Sequence, residues 1–205
     1  AMVRRRADVE RRQLQWLWWP YLSKSTVALL TGDPGIGKSL LTIQLACTLS
    51  RGTCLPDQEG HLTIPTSPQH TLLLSAEDAV SEVIATRIDR AGGDDSKIHV
   101  LDGFKDEKNK EHAFTLQHIS VLKQALRQQP YGLVIIDPIQ AYLGKIDMHR
   151  ANEVRPLMAA LAQVAQQYTT TILCVCHTNK SGNGKGLDRT LGSRDFGAAG
   201  RTALF

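Results

Sequence analysis

Residues 32–39 read Gly-Asp-Pro-Gly-Ile-Gly-Lys-Ser, and they match the pattern G-x-x-x-x-G-K-[ST] in full. The three glycines leave a backbone without Cβ atoms, which can wrap tightly so that its N–H groups point inward as an anion nest. In a loop of this type the ammonium of Lys38 reaches the β- and γ-phosphates of a nucleoside triphosphate, and the hydroxyl of Ser39 binds Mg²⁺. The pattern therefore predicts a site for ATP and Mg²⁺, with nucleotide contacts from Gly32, Asp33, Pro34, Gly35, Ile36, Gly37, Lys38, Ser39 and Leu40.

The segments around this loop have the order that the motif requires. An apolar run with β-branched members precedes it at about 26–31, and a helix that is apolar on most sides follows at about 38–50. A strand, a glycine-rich loop and a buried helix in succession favour the phosphate-binding interpretation over a chance turn.

Strands and helices alternate along the rest of the chain. Continuous apolar runs predict buried strands, at 71–75, 98–101, 133–137 and 171–176. Apolar residues at helical spacing predict helices, at about 79–91, 115–128 and 151–167. The polar stretch 103–112 is typical of an exposed loop. The alternation indicates an α/β fold, with a mostly parallel sheet covered by helices on both faces and ligands bound where the strands end.

Composition narrows the class of protein. The chain has 205 residues, 42% of them apolar, which suits one globular domain with a substantial core. No apolar run approaches the length of a membrane span, and the N-terminal arginines are not followed by the apolar segment of a secretory signal. The four cysteines show no C-x-x-C spacing and no sign of disulfides. We therefore expect a cytoplasmic protein without a membrane partner.

The net charge of +4 is unevenly placed. Residues 1–13 form a basic N-terminal arm, and the glycine-rich segment 180–201 is also basic; such clusters favour polyanions, although a solvated arm is an equal alternative for the first. Between this arm and the predicted strand at about 26–31, an aromatic patch is formed by Trp16, Trp18 and Trp19. Its rings could stack on bases, but packing against the domain is favoured.

Three side chains that could take part in catalysis or metal binding follow predicted strands. Asp137 ends a buried apolar strand, as a carboxylate on the metal side of a phosphate loop does, and we expect it to assist Mg²⁺ binding together with Ser39. Glu77 lies just beyond the second strand and is the candidate general base for the attacking water, with Asp78 as its rival. Asp78 is equally suited to cap the next helix. His177 ends the last buried strand, where its ring could hydrogen-bond the γ-phosphate.

A late arginine has a different expected role. Arg201 follows a Gly/Ala-rich stretch beyond His177, and it could reach the nucleotide of an adjacent subunit as an arginine finger. Arg194 and Arg189 are alternatives for the same role.

Taken together, these motifs resemble the RecA/DnaB-like P-loop ATPases, and among them the RepA-like branch of AAA ATPases in plasmid and phage replication proteins. The resemblance runs from about residue 14 to residue 205 and is carried by Trp18-Trp19-Pro20, Gly32–Ser39, Ser75-Ala-Glu-Asp78, Leu133–Pro138 with Tyr142-Leu143-Gly144, His177-Thr-Asn-Lys180, and Gly192-Ser193 with Ala198-Ala199-Gly200-Arg201. The Ala-Glu-Asp segment, the His-x-Asn-Lys segment and the late arginine are more specific than the phosphate loop alone.

The resemblance implies a RecA-like ATPase domain over 14–205 in a ring-forming, expected hexameric, protein with nucleotide at its subunit interfaces. The resemblance also implies that the catalytic residues are Lys38, Glu77, Asp137, His177 and Arg201. It also implies that two loops, about 142–150 and 180–194, line a central channel. The second of these would contact single-stranded DNA, through Lys180, Lys185, Arg189 and Arg194. Because the family continues with further strands, we expect a fold cut short at its C-terminus.

Three functions are consistent with these residues. The leading one is a DNA-dependent ATPase, acting as a helicase or as a motor in replication or repair. The second is a nucleotide-gated regulatory ATPase or scaffold, which would hydrolyse ATP slowly and bind proteins rather than DNA. The third is a small-molecule phosphotransferase, for which the sequence shows neither an arginine-rich lid nor an acceptor pocket.

Overall fold

The computed structural model describes residues 13–61, 67–148, 150–177 and 202–204, together with Val3, Arg5 and Asp8. The strands in chain order are β1 (Trp16–Trp18), β2 (Leu22–Ser23), β3 (Val27–Gly32), β4 (His70–Ser75), β5 (Ile98–Val100), β6 (Gly103–Lys105), β7 (Glu111–Ala113), β8 (Tyr131–Asp137), β9 (Thr171–His177) and β10 (Thr202–Leu204). The α-helices are α1 (Lys38–Arg51), α2 (Ala85–Ala91), α3 (Ile119–Gln128) and α4 (Ala151–Gln167).

A six-stranded parallel sheet organises the domain, in the order β10-β3-β9-β8-β4-β5. The four strands that were expected to end in functional residues, β3, β9, β8 and β4, are consecutive in that order. Parallel strands bring their carboxyl ends to one edge of a sheet, so the residues that follow these four strands are neighbours in space. The predicted α/β architecture is confirmed.

Two apolar layers cover the sheet. Side chains alternate along each strand, so Val27 and Leu29 of β3 face one layer while Ala28 and Leu30 face the other. The first layer contains the apolar faces of α3 and α4, and the second contains α1, α2 and the β1–β2 hairpin. Both faces of the central strands are therefore buried, which explains why their sequences are apolar without alternation.

Glycines mark several of the helix ends. α1 begins directly after Gly37, and Gly52, with φ of 67°, ends it in the left-handed conformation that glycine tolerates best. Gly92 ends α2 in the same way. Among the residues that the structure describes, no helix is both long and apolar enough to cross a bilayer.

The predicted helix at 79–91 is divided in two. A π-helix, Val80–Ile84, precedes α2, and it begins after Ala79 without a side-chain cap. Asp78 therefore does not cap this helix, and the capping alternative is wrong. π-helical turns are uncommon and are frequently found beside functional sites.

The stretch 103–112 was expected to be an exposed loop; it is largely exposed, but the expectation of a loop is wrong. Its ends pair as the antiparallel hairpin β6–β7, with the ring of Phe104 stacked on that of His112 at 5.3 Å between centroids. The Asp106 carboxylate closes the turn by accepting the backbone N–H groups of Lys108 and Lys110, both at 2.9 Å. Backbone hydrogen bonds from Asp106 to Lys110 and from Asn109 to Asp106 complete the turn, and polar turn contacts of this kind leave little trace in the hydrophobic pattern.

The tryptophan patch packs in part against the domain. Leu17 and Leu22 of the β1–β2 hairpin are buried in the second apolar layer. Trp18 packs on the ring of Tyr21, 4.7 Å between centroids, and donates its indole N–H to the carbonyl of Pro56 at 2.6 Å. Trp19 remains 49% exposed.

Candidate nucleotide site

The phosphate loop has an open cradle. Gly35 and Gly37 have φ values of 83° and 94°, which side chains with a Cβ rarely adopt. Beyond the adjacent residues, an ideal Cβ built at either position would meet no atom within 4 Å, so the positive φ, and not crowding, is what favours glycine there. Backbone N–H groups arranged around such a cradle, at the start of a helix, suit a chain of phosphates.

Lys38 lies beneath this cradle and is 6% exposed. Its Nζ donates hydrogen bonds to the carbonyls of Gly32 at 2.9 Å and Asp33 at 2.8 Å. Burial lowers the pKa of the ammonium from its usual value, and the nearby carboxylate of Asp137 opposes this effect. The loop thus holds a largely desolvated cation against its own backbone, where a phosphate oxygen could compete with the two carbonyls.

Asp137 lies at the end of β8, beside the start of α1, and is 8% exposed. It lines one small cavity together with Ser39, the residue expected to share Mg²⁺ with it. Burial raises the pKa of the Asp137 carboxyl, and the neighbouring Glu77 carboxylate also raises it, while the Ser39 hydroxyl lowers it. A buried carboxylate next to a hydroxyl and a second carboxylate is a suitable environment for a hard divalent cation. These residues therefore fit Mg²⁺.

Glu77 and His177 come together although 100 positions separate them. His177 Nε2 lies 3.2 Å from Oε1 of Glu77, within hydrogen-bond distance. The register of the sheet explains this contact: Ser75 of β4 pairs with Asp137 of β8, and Ile136 of β8 pairs with Cys174 of β9, so Glu77 and His177 follow at a similar level. The Glu77 side chain is 58% exposed, so its carboxylate is open to water at the edge where the phosphates would lie.

Asp78 has different surroundings from Glu77. Its carboxylate forms an ion pair with the guanidinium of Arg87 on α2, and both side chains are about 30% exposed. Arg87 was not among the residues predicted from the sequence. It lies nine positions from Asp78 across an irregular turn and a π-helix, so helical spacing gives no indication of the pair.

Several predicted residues lie outside the described part of the chain. These are the candidate arginine finger and the candidate DNA contacts, Arg201, Arg194, Arg189, Lys180 and Lys185. Of the first predicted channel loop, 142–150, Tyr142 and Leu143 are buried in the core, and residues 144–148 and 150 lie nearer the surface.

Comparisons with known proteins identify the family of the chain. A family profile described as an AAA domain matches residues 2–183, most of the chain. The chain is 28% identical over 164 residues to the DNA repair protein RadA of Bacillus subtilis (strain 168), covering 78% of this chain and 29% of that protein. It is 30% identical over 161 residues to the DNA repair protein RadA of Streptococcus pneumoniae (strain ATCC BAA-255 / R6), covering 77% and 31%.

The chain thus spans about a third of the length of these curated relatives. The RepA-like branch is a finer assignment than the matches provide, and it stays a prediction. The parallel sheet, the phosphate loop and the profile match lead to one assignment at family level. The chain belongs to the AAA domain family, among the RecA/DnaB-like P-loop ATPases.

Proposed function

We propose that this chain is an ATP-hydrolysing motor domain whose turnover depends on DNA, acting in replication or repair. The observation that carries the proposal is the convergence of Lys38, Ser39, Asp137, Glu77 and His177 at the carboxyl edge of four consecutive strands. A phosphate cradle, a metal-side carboxylate, a solvent-accessible base and a hydrogen-bonding ring together make up the parts that phosphoryl transfer to water requires.

Each side chain has a role that follows from its position. The phosphate loop binds the triphosphate and Lys38 neutralises charge that develops on the transferred phosphoryl group. Bound Mg²⁺, held through Ser39 and Asp137, would neutralise further phosphate charge. Glu77 orients a water molecule and accepts its proton, since its carboxylate is exposed and lies beside the cradle. His177 contacts Glu77 and could exchange this contact for one with the γ-phosphate.

The proposed link with DNA has two supports. The matched relatives are described as DNA repair proteins. The segment 180–201 carries Lys180, Lys185, Arg189, Arg194 and Arg201 against Asp188 and Asp195, a balance that favours a phosphate backbone. We further propose that the working protein is a ring, with DNA in its channel.

The first test measures ATP turnover with and without single-stranded DNA, in the presence and absence of Mg²⁺. We expect Mg²⁺-dependent hydrolysis that DNA accelerates. Lys38→Ala should abolish turnover and weaken triphosphate binding, because it removes the cation from the cradle. Near-normal hydrolysis by Lys38→Ala would contradict the site assignment. Hydrolysis that DNA leaves unchanged would favour the nucleotide-gated regulatory ATPase instead.

A further inference from the structure

The backbone around Glu77 is held at two points. The N–H of Ala76 donates to the carbonyl of Asp137 at 3.1 Å, which ties the end of β4 to the end of β8. The carbonyl of Ala79 accepts from Val83 at 3.0 Å and Ile84 at 3.2 Å, which starts the π-helix. The residues between these points have no regular secondary structure.

Within this short span, Asp78 is tied to α2 by its ion pair with Arg87. The pair is partly buried, and a charge-assisted hydrogen bond there is stronger than one between neutral groups. Arg87 and Asp78 line one small cavity together with Ser39 and Asp137. The contact therefore lies directly beside the metal side of the nucleotide site.

The ion pair also gives the neighbouring carboxylates of Glu77 and Asp78 different surroundings. The guanidinium of Arg87 compensates the charge of Asp78 and holds this side chain towards α2. Glu77, the preceding residue, is left pointing to the edge of the sheet, where its contact among the described residues is His177. Without the tie, the span from 76 to 79 could rotate and carry Glu77 away from the cradle.

We infer that Arg87 is a positioning residue for ATP hydrolysis, which acts by fixing Asp78 and thereby the direction of the Glu77 carboxylate. This inference rests on the hydrolytic function proposed above. It assigns Asp78 to the support of the base rather than to the base itself. Because misplacement of a reacting group by about 1 Å can cost about 10²-fold in rate, the loss of the tie should be visible in turnover.

The test compares Arg87→Met, Asp78→Asn and the double variant with the wild-type chain. We expect kcat to fall about 10- to 100-fold in each single variant, with KM for ATP and binding of a fluorescent ATP analogue near their original values. The double variant should be as slow as either single variant, since both remove the same contact. Arg87→Lys keeps a cation for this contact and should recover most of the turnover.

Arg90→Met provides the matched control, because Arg90 is exposed on the same helix and one turn further on. It should retain normal kcat, and its thermal unfolding midpoint gives the reference for loss of an α2 arginine. If Arg87→Met fails to fold, the nearly isosteric Asp78→Asn carries the test.

The outcomes separate this inference from the proposed function. If the wild-type chain does not hydrolyse ATP in an assembled sample with Mg²⁺ and single-stranded DNA, the proposed function is contradicted. Normal kcat in Arg87→Met, additive losses in the double variant, a change in KM alone, or no recovery with Arg87→Lys would each overturn the positioning role. Active Glu77→Gln would also overturn it, because Asp78 would then be the base.

Discussion

At the scale of single residues, neighbouring side chains of the same type have different surroundings. Glu77 is exposed and contacts His177, whereas Asp78 is ion-paired with Arg87. Asp137 is buried beside Ser39, and burial raises its carboxyl pKa. Three carboxylates at one edge thus divide into a candidate base, its support and a candidate metal ligand.

The difference between Glu77 and Asp78 leads to a prediction. Glu77→Gln should retain ATP affinity but lower hydrolysis by about 10²-fold or more, because it removes the proton acceptor while it keeps the shape. Single-turnover hydrolysis and equilibrium binding of an ATP analogue separate the two effects. Asp78→Asn is the matched comparison and should lose less. A slower Asp78→Asn beside an active Glu77→Gln would move the base by one residue.

At the scale of secondary structure, the start of β4 and the neighbouring strand β5 share a polar contact away from the nucleotide site. His70 of β4 and His99 of the outermost strand β5 approach to 3.1 Å between Nδ1 and Nε2, and the ring of Tyr131 meets both edge-on. Burial lowers the pKa of His70, the neighbouring His99 and Lys97 lower it as well, and Asp94 opposes them. This strand pair should therefore respond to acid.

The sign of that response follows from proton binding. Because the pKa of His70 is lower in the folded chain than its ordinary value of about 6.5, the unfolded chain binds more protons at mildly acidic pH. The stabilisation is complete above about pH 6.5 and is lost as the pH falls below it. We expect the free energy of unfolding, measured with urea, to decrease between about pH 7.5 and 5.5.

His70→Gln should make that decrease smaller, because glutamine does not titrate in this range. His61→Gln is the control, since the His61 side chain is 74% exposed and lies between α1 and β4, outside the sheet. An unchanged pH dependence in His70→Gln would show that His70 does not cause the loss of stability in acid.

At the scale of the whole molecule, the order of the strands assembles the site. β3, β9, β8 and β4 are adjacent in the sheet although they are spread over 27–177 in the chain. β10 pairs with β3 from the outer side, and the hydroxyl of Thr31 donates to the carbonyl of Leu204 at 3.3 Å. The segment that leads from β9 to β10 therefore starts beside the phosphate loop, at His177, and ends near the start of β3, where Thr202 pairs with Ala28.

The prediction at this scale concerns catalysis between subunits. If Arg201 acts on the nucleotide of an adjacent subunit, hydrolysis per molecule should rise with protein concentration in a sample that assembles. An arginine finger is typically worth about 10³–10⁵ in rate. Mixing Arg201→Ala with Lys38→Ala should restore part of the activity, since some interfaces then combine an intact loop with an intact Arg201.

Each variant alone is the control and should be nearly inactive. Confirmed mixed assembly without recovered hydrolysis would mean that Arg201 acts within its own subunit or has no catalytic part. Repeating the mixture with Arg194→Ala or Arg189→Ala in place of Arg201→Ala distinguishes the three candidate arginines.

The sequence alone determined those features whose physical cause lies within one short segment. Eight consecutive residues contain the whole phosphate loop, and continuous apolar runs identify the buried strands because both faces of this sheet are covered. The helix at 151–167 was predicted with its observed limits, since its apolar positions repeat at helical spacing. The family followed from the same local motifs.

The tertiary structure decided every feature that depends on partners far apart in the chain. The contacts Asp78–Arg87, His70–His99 and Glu77–His177 join residues 9, 29 and 100 positions apart. Neither periodicity nor spacing encodes such pairs, because strand order and an irregular turn set them after the chain has folded. The same reason applies to the two acids in Ser75-Ala-Glu-Asp78: they are adjacent in the sequence, and only the folded chain gives Asp78 an ion pair with Arg87 and Glu77 a contact with His177.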